Sequence, residues 1–374
     1  MERRTLGKTG EKVSILGAGG FHLLEISDRE AVRVLNAFLD QGGNFIETAA
    51  QYGDGESERK VGLVMSERRD ECFLTSKTHF RDRRGAASSL DGSLKRLRTD
   101  YVDLFLFHHV QTDEELDQIL GPGGAMEAFL DARRQGKIRF IGISGHGVPD
   151  VLTRAVETCE LDVLMTGFNF FDRFNFPLAE TELLPRAKEK GMGVICMKAL
   201  ADGLLWEYPE ESIRYVLSLP IDVIAAGFNT MEMLVSDLEI VNRCTPMSEE
   251  EKQRLFMHNP VLGNYICRQC GECLPCPEGI NIPEVFLFEG WYDRQLRDRK
   301  MRAIPDFALR DRLRFWFENR EKARSAYERM EKKADACTAC GECMPRCPYG
   351  IDIIAKLDHA HYKLTREAVS TIPI

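Results

Sequence analysis

Val102-Asp103-Leu104-Phe105-Leu106-Phe107-His108 is an apolar run of strand length, and the next such run, Phe140 to Ser144, follows an amphipathic segment from Gly124 to Gln135. Strand, helix, strand in that order is a βα unit of a parallel sheet, because parallel neighbours need a long crossover that a helix fills. The unit recurs in both directions along the chain. Upstream, strands are expected at Val13 to Gly17, Asn44 to Thr48 and Cys72 to Lys77; downstream, at Val163 to Asn169, Gly193 to Met197 and Val223 to Gly227. Helices are expected at Asp28 to Asp40, Ser57 to Glu67, Ala86 to Leu97, Pro149 to Glu157, Leu178 to Lys190, Pro209 to Leu219 and Met231 to Val241. Eight strand and helix pairs in this order read as a closed (β/α)8 TIM barrel.

A doubly wound sheet is the competing α/β reading, since Gly17-Ala18-Gly19-Gly20 follows the first strand. However, Phe21 to Ile26 intervenes before the helix, so these glycines cannot set a phosphate on its first turn. They read as a loop cluster. Ahead of them, Arg4-Thr5-Leu6-Gly7-Lys8-Thr9-Gly10-Glu11-Lys12-Val13 reads as a short hairpin closing the barrel floor. After Ser248 the pattern changes to a helical segment, a cysteine motif, a long charged helical stretch and a second cysteine motif. A boundary near Asn259-Pro260 gives a barrel over 1–258 and a mostly α-helical domain over 259–374. Between the motifs, Leu309, Leu313, Trp316 and Phe317 make one apolar helix face. The Arg and Lys residues around them, Arg294, Arg297, Arg299, Lys300, Arg302, Arg310, Arg312 and Arg314, read as a solvated face rather than a docking patch.

The chain has 374 residues, 44% hydrophobic and 29% charged, enough for a large domain plus a smaller one. A formal net charge of -9 argues against nucleic-acid binding, which draws affinity from clustered Lys and Arg. Met1 to Ile15 lacks an apolar core, and no stretch approaches the ~18 consecutive apolar residues of a membrane helix. A cytoplasmic location and no membrane partner are the expectation.

Twelve cysteines in a long chain without a signal peptide favour thiolate ligands over a disulfide framework. Cys72, Cys159, Cys196 and Cys244 are scattered and read as small core hydrophobes. The other eight form two groups. Cys337-x2-Cys340-x2-Cys343-x3-Cys347-Pro348 has the spacing of a two-cluster ferredoxin run, in which three thiolates hold one cubane and the fourth crosses to the other. Cys267-x2-Cys270-x2-Cys273-x2-Cys276-Pro277 is one residue shorter before its last cysteine. The crossover assigns Cys267, Cys270, Cys273 and Cys347 to one [4Fe-4S] cluster, and Cys337, Cys340, Cys343 and Cys276 to the other. Zinc also takes four thiolates, usually as two separated pairs, so dense three-residue spacing favours iron. The two motifs, sixty residues apart, resemble the α-helical dicluster ferredoxin domains attached to oxidoreductases.

Three further stretches carry a resemblance over roughly residues 1 to 245: Arg4 to Gly10, Asn44-Phe45-Ile46-Glu47-Thr48-Ala49-Ala50-Gln51-Tyr52-Gly53, and Tyr101 to His108. Together they resemble the aldo-keto reductase family, and the whole chain resembles its branch with a C-terminal iron-sulfur extension. The resemblance implies a catalytic tetrad of Glu47, Tyr52, Lys77 and His108 at the C-terminal ends of strands, where barrels keep their chemistry. Tyr52 would protonate a carbonyl oxygen as hydride arrives, Lys77 would favour the tyrosinate, Glu47 would hold Lys77, and His108 would orient the carbonyl. His109 is set aside because alternation along a strand sends it to the opposite face.

The chain also departs from the family. Its usual aspartate is Glu47, its nicotinamide-binding glutamine aligns with Met165, its stacking tyrosine with Met197, and Gly145-His146 stands where an asparagine follows Ser144. The implied cofactor contacts are Ser144, Asn169, Lys198, Gly203, Gly227 and Thr230, the last four in loops where barrels bind phosphate. They imply NAD(P), with FMN as the alternative. Hydride moves two electrons and a cubane one, so something must split the pair. The expected function is an iron-sulfur oxidoreductase acting on a small carbonyl, alcohol or activated double bond, exchanging electrons with a ferredoxin or flavodoxin-type carrier. The other class is an electron-transfer or docking protein whose barrel has lost nicotinamide-dependent catalysis.

Overall fold

A computed structural model describes residues 1–146, 149–201, 205, 208–258, 267, 270–294 and 320–365. They fall into two compact units, Met1–Phe256 and Met257–Ile374. The first is the barrel. A hairpin of β1 (Arg3–Thr5) and β2 (Lys12–Ser14) precedes eight parallel strands: β3 (Leu16–Gly19), β4 (Phe45–Glu47), β5 (Phe73–Thr78), β6 (Val102–Phe107), β7 (Ile138–Ser144), β8 (Val163–Gly167), β9 (Gly193–Met197) and β10 (Val223–Ala226). They pair in sequence order, and β10 closes the ring against β3. The expected first strand is thus two strands, one in the hairpin and one in the barrel.

Helices α1 (Asp28–Asp40), α2 (Glu56–Arg68), α3 (Arg83–Leu97), α4 (Asp113–Leu120), α5 (Ala125–Arg134), α6 (Pro149–Thr158), α7 (Asp172–Asn175), α8 (Leu184–Glu189), α9 (Pro209–Leu217), α10 (Met231–Arg243) and α11 (Glu249–His258) complete this part of the chain. Their starts follow sequence chemistry: Ser27, Asp82, Thr112 and Thr230 each accept a backbone N–H as N-caps of α1, α3, α4 and α10. The helix expected from Leu178 opens instead with a π-helical turn, Ala179–Leu183, ahead of α8.

Leu6 and Val13 from the hairpin join Phe45, Phe73, Leu104, Leu106, Val163, Ile195 and Val223 in one buried interior cluster. The hairpin therefore plugs the floor, as its sequence suggested. The glycines read above as a loop lie mostly within β3, and packing is the reason. A β-carbon on Gly17 would sit 2.6 Å from the Phe45 ring, so the strand needs a bare backbone there.

The second unit has α12 (Ile282–Arg294), α13 (Arg320–Glu328) and α14 (Ile353–Thr365) around a small core that includes Val285, Phe286, Tyr327, Leu357, Cys273 and Cys343. Glu289, only 1% exposed, pairs with Lys356 at 2.5 Å and Lys363 at 3.1 Å, so its buried charge is compensated across α12 and α14. The apolar face expected over Leu309 to Phe317 and the basic residues from Arg297 to Arg314 lie outside the described residues. Among the described residues no helix is long and apolar enough to cross a membrane.

Candidate functional site

Glu47 ends β4, Lys77 lies in β5 and His108 follows β6 directly. Sheet-like bonding continues past the strands: Ala50 N–H donates to the Lys77 carbonyl at 3.2 Å and His108 N–H to that of Thr78 at 2.8 Å. Tyr52 rides on the loop leaving β4. Gly53, Asp54 and Gly55 there all have positive φ (60°, 52° and 91°), a bend that two glycines and an aspartate tolerate. Ser57 Oγ anchors the loop, meeting Thr48 Oγ1 at 2.8 Å and donating to the Gly20 carbonyl at 2.7 Å.

The four side chains assigned to the tetrad converge. Lys77 Nζ donates to Tyr52 Oη at 3.0 Å and to the Thr48 carbonyl at 3.1 Å, and it is in direct contact with Glu47 Oε1. Tyr52 Oη in turn donates to Glu47 Oε1 at 3.2 Å. One oxygen of the Glu47 carboxylate thus meets both partners. The His108 ring stands edge-on to Tyr52 with centroids 5.7 Å apart. Burial pushes the Lys77 ammonium down, and the Glu47 carboxylate in contact with it opposes that push. Burial, and after it the charges of Lys77, His146, His109 and Arg81, take His108 down to about 2. Burial and the surrounding positive charge thus favour the neutral imidazole over the imidazolium.

His109 corrects the alternation argument. Its φ is +56°, so the strand has already ended and its ring lies 6.4 Å from His108 and 5.1 Å from His146. This left-handed turn is held from outside: Arg81 donates to the carbonyls of His108 and His109, and Ser144 Oγ accepts His109 N–H. Nothing in the residue types announces such a turn.

The expected cofactor contacts are spread among other duties. Ser144 Oγ donates to the Phe107 carbonyl at 3.3 Å, and Asn169 Nδ2 donates to Asp172 at 2.9 Å and to the Lys198 carbonyl at 3.0 Å. Their donors are committed inward, and Met165 and Met197 belong to the apolar interior cluster. This ring-end donor set does not fit a nicotinamide amide held in the family's way. Thr230 caps α10. A β-carbon on Gly227 would fall 1.8 Å from the His22 ring, so this glycine has a packing reason of its own. Lys198 has φ of +59°, and Gly203 lies outside the described residues.

In the second unit none of the eight motif cysteines forms a disulfide. The two Cys-Gly-Glu-Cys turns are conformational twins: Gly271 and Gly341 share a φ of +81°, Cys270 and Cys340 are exposed, and Cys273 and Cys343 are buried. Burial pushes Cys273 up to about 11, with Cys270, Cys347 and Cys343 adding to it. Burial also raises Cys343, with Cys337, Cys340 and Cys276 adding. The neighbours of Cys343 are the three thiols that the crossover gives it. Those same four, Cys276, Cys337, Cys340 and Cys343, line one pocket, with Ile282 and Leu357 as its apolar wall. Four thiolates gathered this closely repel one another unless a cationic iron core binds them, so the donor set fits a cubane. Among the described residues no three His, Cys, Asp or Glu side chains close on a single-ion site; a cubane takes each thiolate at a different iron. Cys72 and Cys196 are buried in the barrel, where burial pushes each thiol up to about 12. Cys159 and Cys244 are half-buried.

An eight-stranded parallel barrel with Tyr, Lys, His and a carboxylate gathered at its strand ends, carried on a chain with a cysteine-rich helical unit, defines an iron-sulfur oxidoreductase. Residues 15–216 match the model of the aldo/keto reductase family, and residues 266–352 that of the 4Fe-4S dicluster domain. The chain belongs to the aldo/keto reductase family. It is 28% identical to an uncharacterized oxidoreductase of Bacillus subtilis (YqkF), over 65% of this chain and 81% of that protein. It is 31% identical to L-galactose dehydrogenase of Arabidopsis thaliana, over 55% of this chain and 68% of that one. Among solved structures, an aldo-keto reductase from Bacillus halodurans in its holo form superposes with a TM-score of 0.60 at 25% identity, covering 69% of this chain and 96% of its own.

Proposed function

We propose that the barrel interconverts a small carbonyl and its alcohol, or reduces an activated double bond, while the second unit's two clusters exchange single electrons with an external carrier of ferredoxin or flavodoxin type. The observation that carries this reading is the Tyr52 hydroxyl, in contact with both Lys77 and Glu47 and faced by a neutral His108. Tyr52 holds the proton that a substrate oxygen takes. Lys77 stabilises the phenolate left behind, and Glu47 keeps Lys77 in place as a buried ion pair. His108 positions the substrate oxygen by a hydrogen bond from an uncharged ring.

Lys198, Gly227 and Thr230 are proposed to anchor the phosphate of NAD(P), or of FMN in its place, beside the start of α10; Gly203, expected with them, lies outside the described residues. Cys267, Cys270, Cys273 and Cys347, and Cys337, Cys340, Cys343 and Cys276, are proposed to hold the clusters, which supply one-electron transfer. The test is Tyr52→Phe in anaerobically purified protein on a panel of aldehydes and ketones. Turnover is expected to fall about 10²-fold or more, the range for losing a general acid. Unchanged turnover would remove Tyr52 and the tetrad with it.

A further inference from the structure

One polar neighbour of the tetrad has no role so far. Gln51 Oε1 lies 2.8 Å from His108 Nδ1. Both partners are fixed by backbone bonding. Ala50 and Tyr52, on either side of Gln51, donate to Lys77 and Ala49 at 3.2 and 3.1 Å, while the His108 carbonyl takes a hydrogen bond from Arg81 at 3.0 Å. The amide and the imidazole are therefore held in register by two different strand ends rather than by a shared loop.

A neutral imidazole carries one ring proton, and the group facing one nitrogen decides which nitrogen has it. His108 is neutral, for the reasons of burial and surrounding positive charge given above. With the Gln51 oxygen toward Nδ1, that nitrogen carries the proton and Nε2 presents a lone pair. Nε2 then accepts a hydrogen bond from a hydroxyl and has none to offer a carbonyl. Rotating the amide by a half-turn brings its NH2 group to Nδ1. The ring exchanges its proton through solvent: Nδ1 gives its proton to water, Nε2 takes one from water, and the ring now donates to a carbonyl oxygen. A carboxylate at position 51 could only accept, and an aliphatic side chain could do neither.

We propose that Gln51 is a positioning residue that sets the tautomer of His108: it holds the Nδ1–H form in the free enzyme, suited to an alcohol, and yields the Nε2–H form for a carbonyl by turning its amide. This deepens the substrate class given above and rests on the tetrad reading for its catalytic meaning. It also explains how one rigid, uncharged histidine serves both redox forms of a substrate.

The test uses the full-length protein with clusters intact, labelled with ¹⁵N in histidine, and reads the ring nitrogens of His108 by long-range proton-nitrogen correlation. The signals are assigned by their loss in His108→Asn. Wild type is expected to show Nδ1 protonated and Nε2 bare at neutral pH. Gln51→Leu, or Gln51→Met should the leucine variant not fold, is expected to shift the tautomer ratio at least tenfold toward Nε2–H. Gln51→Glu is expected to keep Nδ1 protonated. A wild-type Nε2–H form, an unchanged ratio in the aliphatic variant, or loss of the Nδ1 proton in Gln51→Glu would each overturn the proposal. No turnover is read, so failure of the tetrad at Tyr52 would be seen separately.

Discussion

The barrel and the cysteine unit hold their chemistry in opposite ways. At the barrel mouth every tetrad side chain already has a protein partner: Lys77 meets Glu47, Tyr52 and the Thr48 carbonyl, and His108 meets Gln51. The strands that carry them pair around a closed ring. In the helical unit the functional side chains are thiols facing thiols, set in turns around a small core. Preorganised hydrogen bonds complete the first site from within, whereas the second is completed by a metal core, which also contributes folding energy.

That contrast can be broken most visibly at a cluster ligand. Cys343→Ser should lower iron from about eight to about four per chain and loosen α12 to α14, while the far-ultraviolet signal of the barrel persists. Iron analysis with circular dichroism would measure both, and a collapse of the barrel would contradict the division. Next in size is Glu47→Gln, which leaves the Lys77 ammonium buried without its counter-ion. A cost of about 3 to 5 kcal/mol in barrel stability is expected, read as a lower denaturant midpoint with cluster content unchanged.

A pH effect follows from His108, which titrates near its ordinary value of about 6.5 when unfolded and at about 2 when folded. Between these values the unfolded chain binds the extra proton, so stability falls as pH drops. The slope reaches about 1.4 kcal/mol per pH unit for this one group. Barrel stability in His108→Asn should therefore decline less steeply between pH 6 and 4. An identical slope would show that His108 accepts a proton in the fold. The smallest effect is expected at Cys159→Ser, a near-isosteric change at a half-buried residue outside both motifs: iron content unchanged and stability altered by less than about 1 kcal/mol. Loss of iron there would redraw the ligand set.

The two regions also differ in how far the sequence could be read. Cluster spacing is local, so the two Cys-Gly-Glu-Cys turns are legible from order alone, while the assignment of Cys276 to the later group comes from the two-cluster ferredoxin crossover. The barrel followed from repetition of βα units, whereas the tetrad was implied by the family resemblance of the stretches that carry it. What the sequence did not announce depends on contacts between strand ends that are distant along the chain. Strand alternation fails at His109 because Arg81 and Ser144 stabilise a left-handed turn there. Gln51 stands 57 residues from the imidazole it faces, and no local pattern marks it. Gly17 and Gly19 looked like loop residues because the Phe45 ring that crowds Gly17 arrives from β4, and Val223 beside Gly17 and the backbone beside Gly19 from β10.

The central claim, a barrel complete in itself joined to a unit completed by iron, is tested most directly by hydrogen exchange before and after anaerobic removal of iron with a chelator. Amides of residues 270–294 and 320–365 should lose protection, while those of β4, β5 and β6 stay as slow as in the intact protein. Unchanged protection in the cysteine unit, or equal loss in both regions, would contradict it.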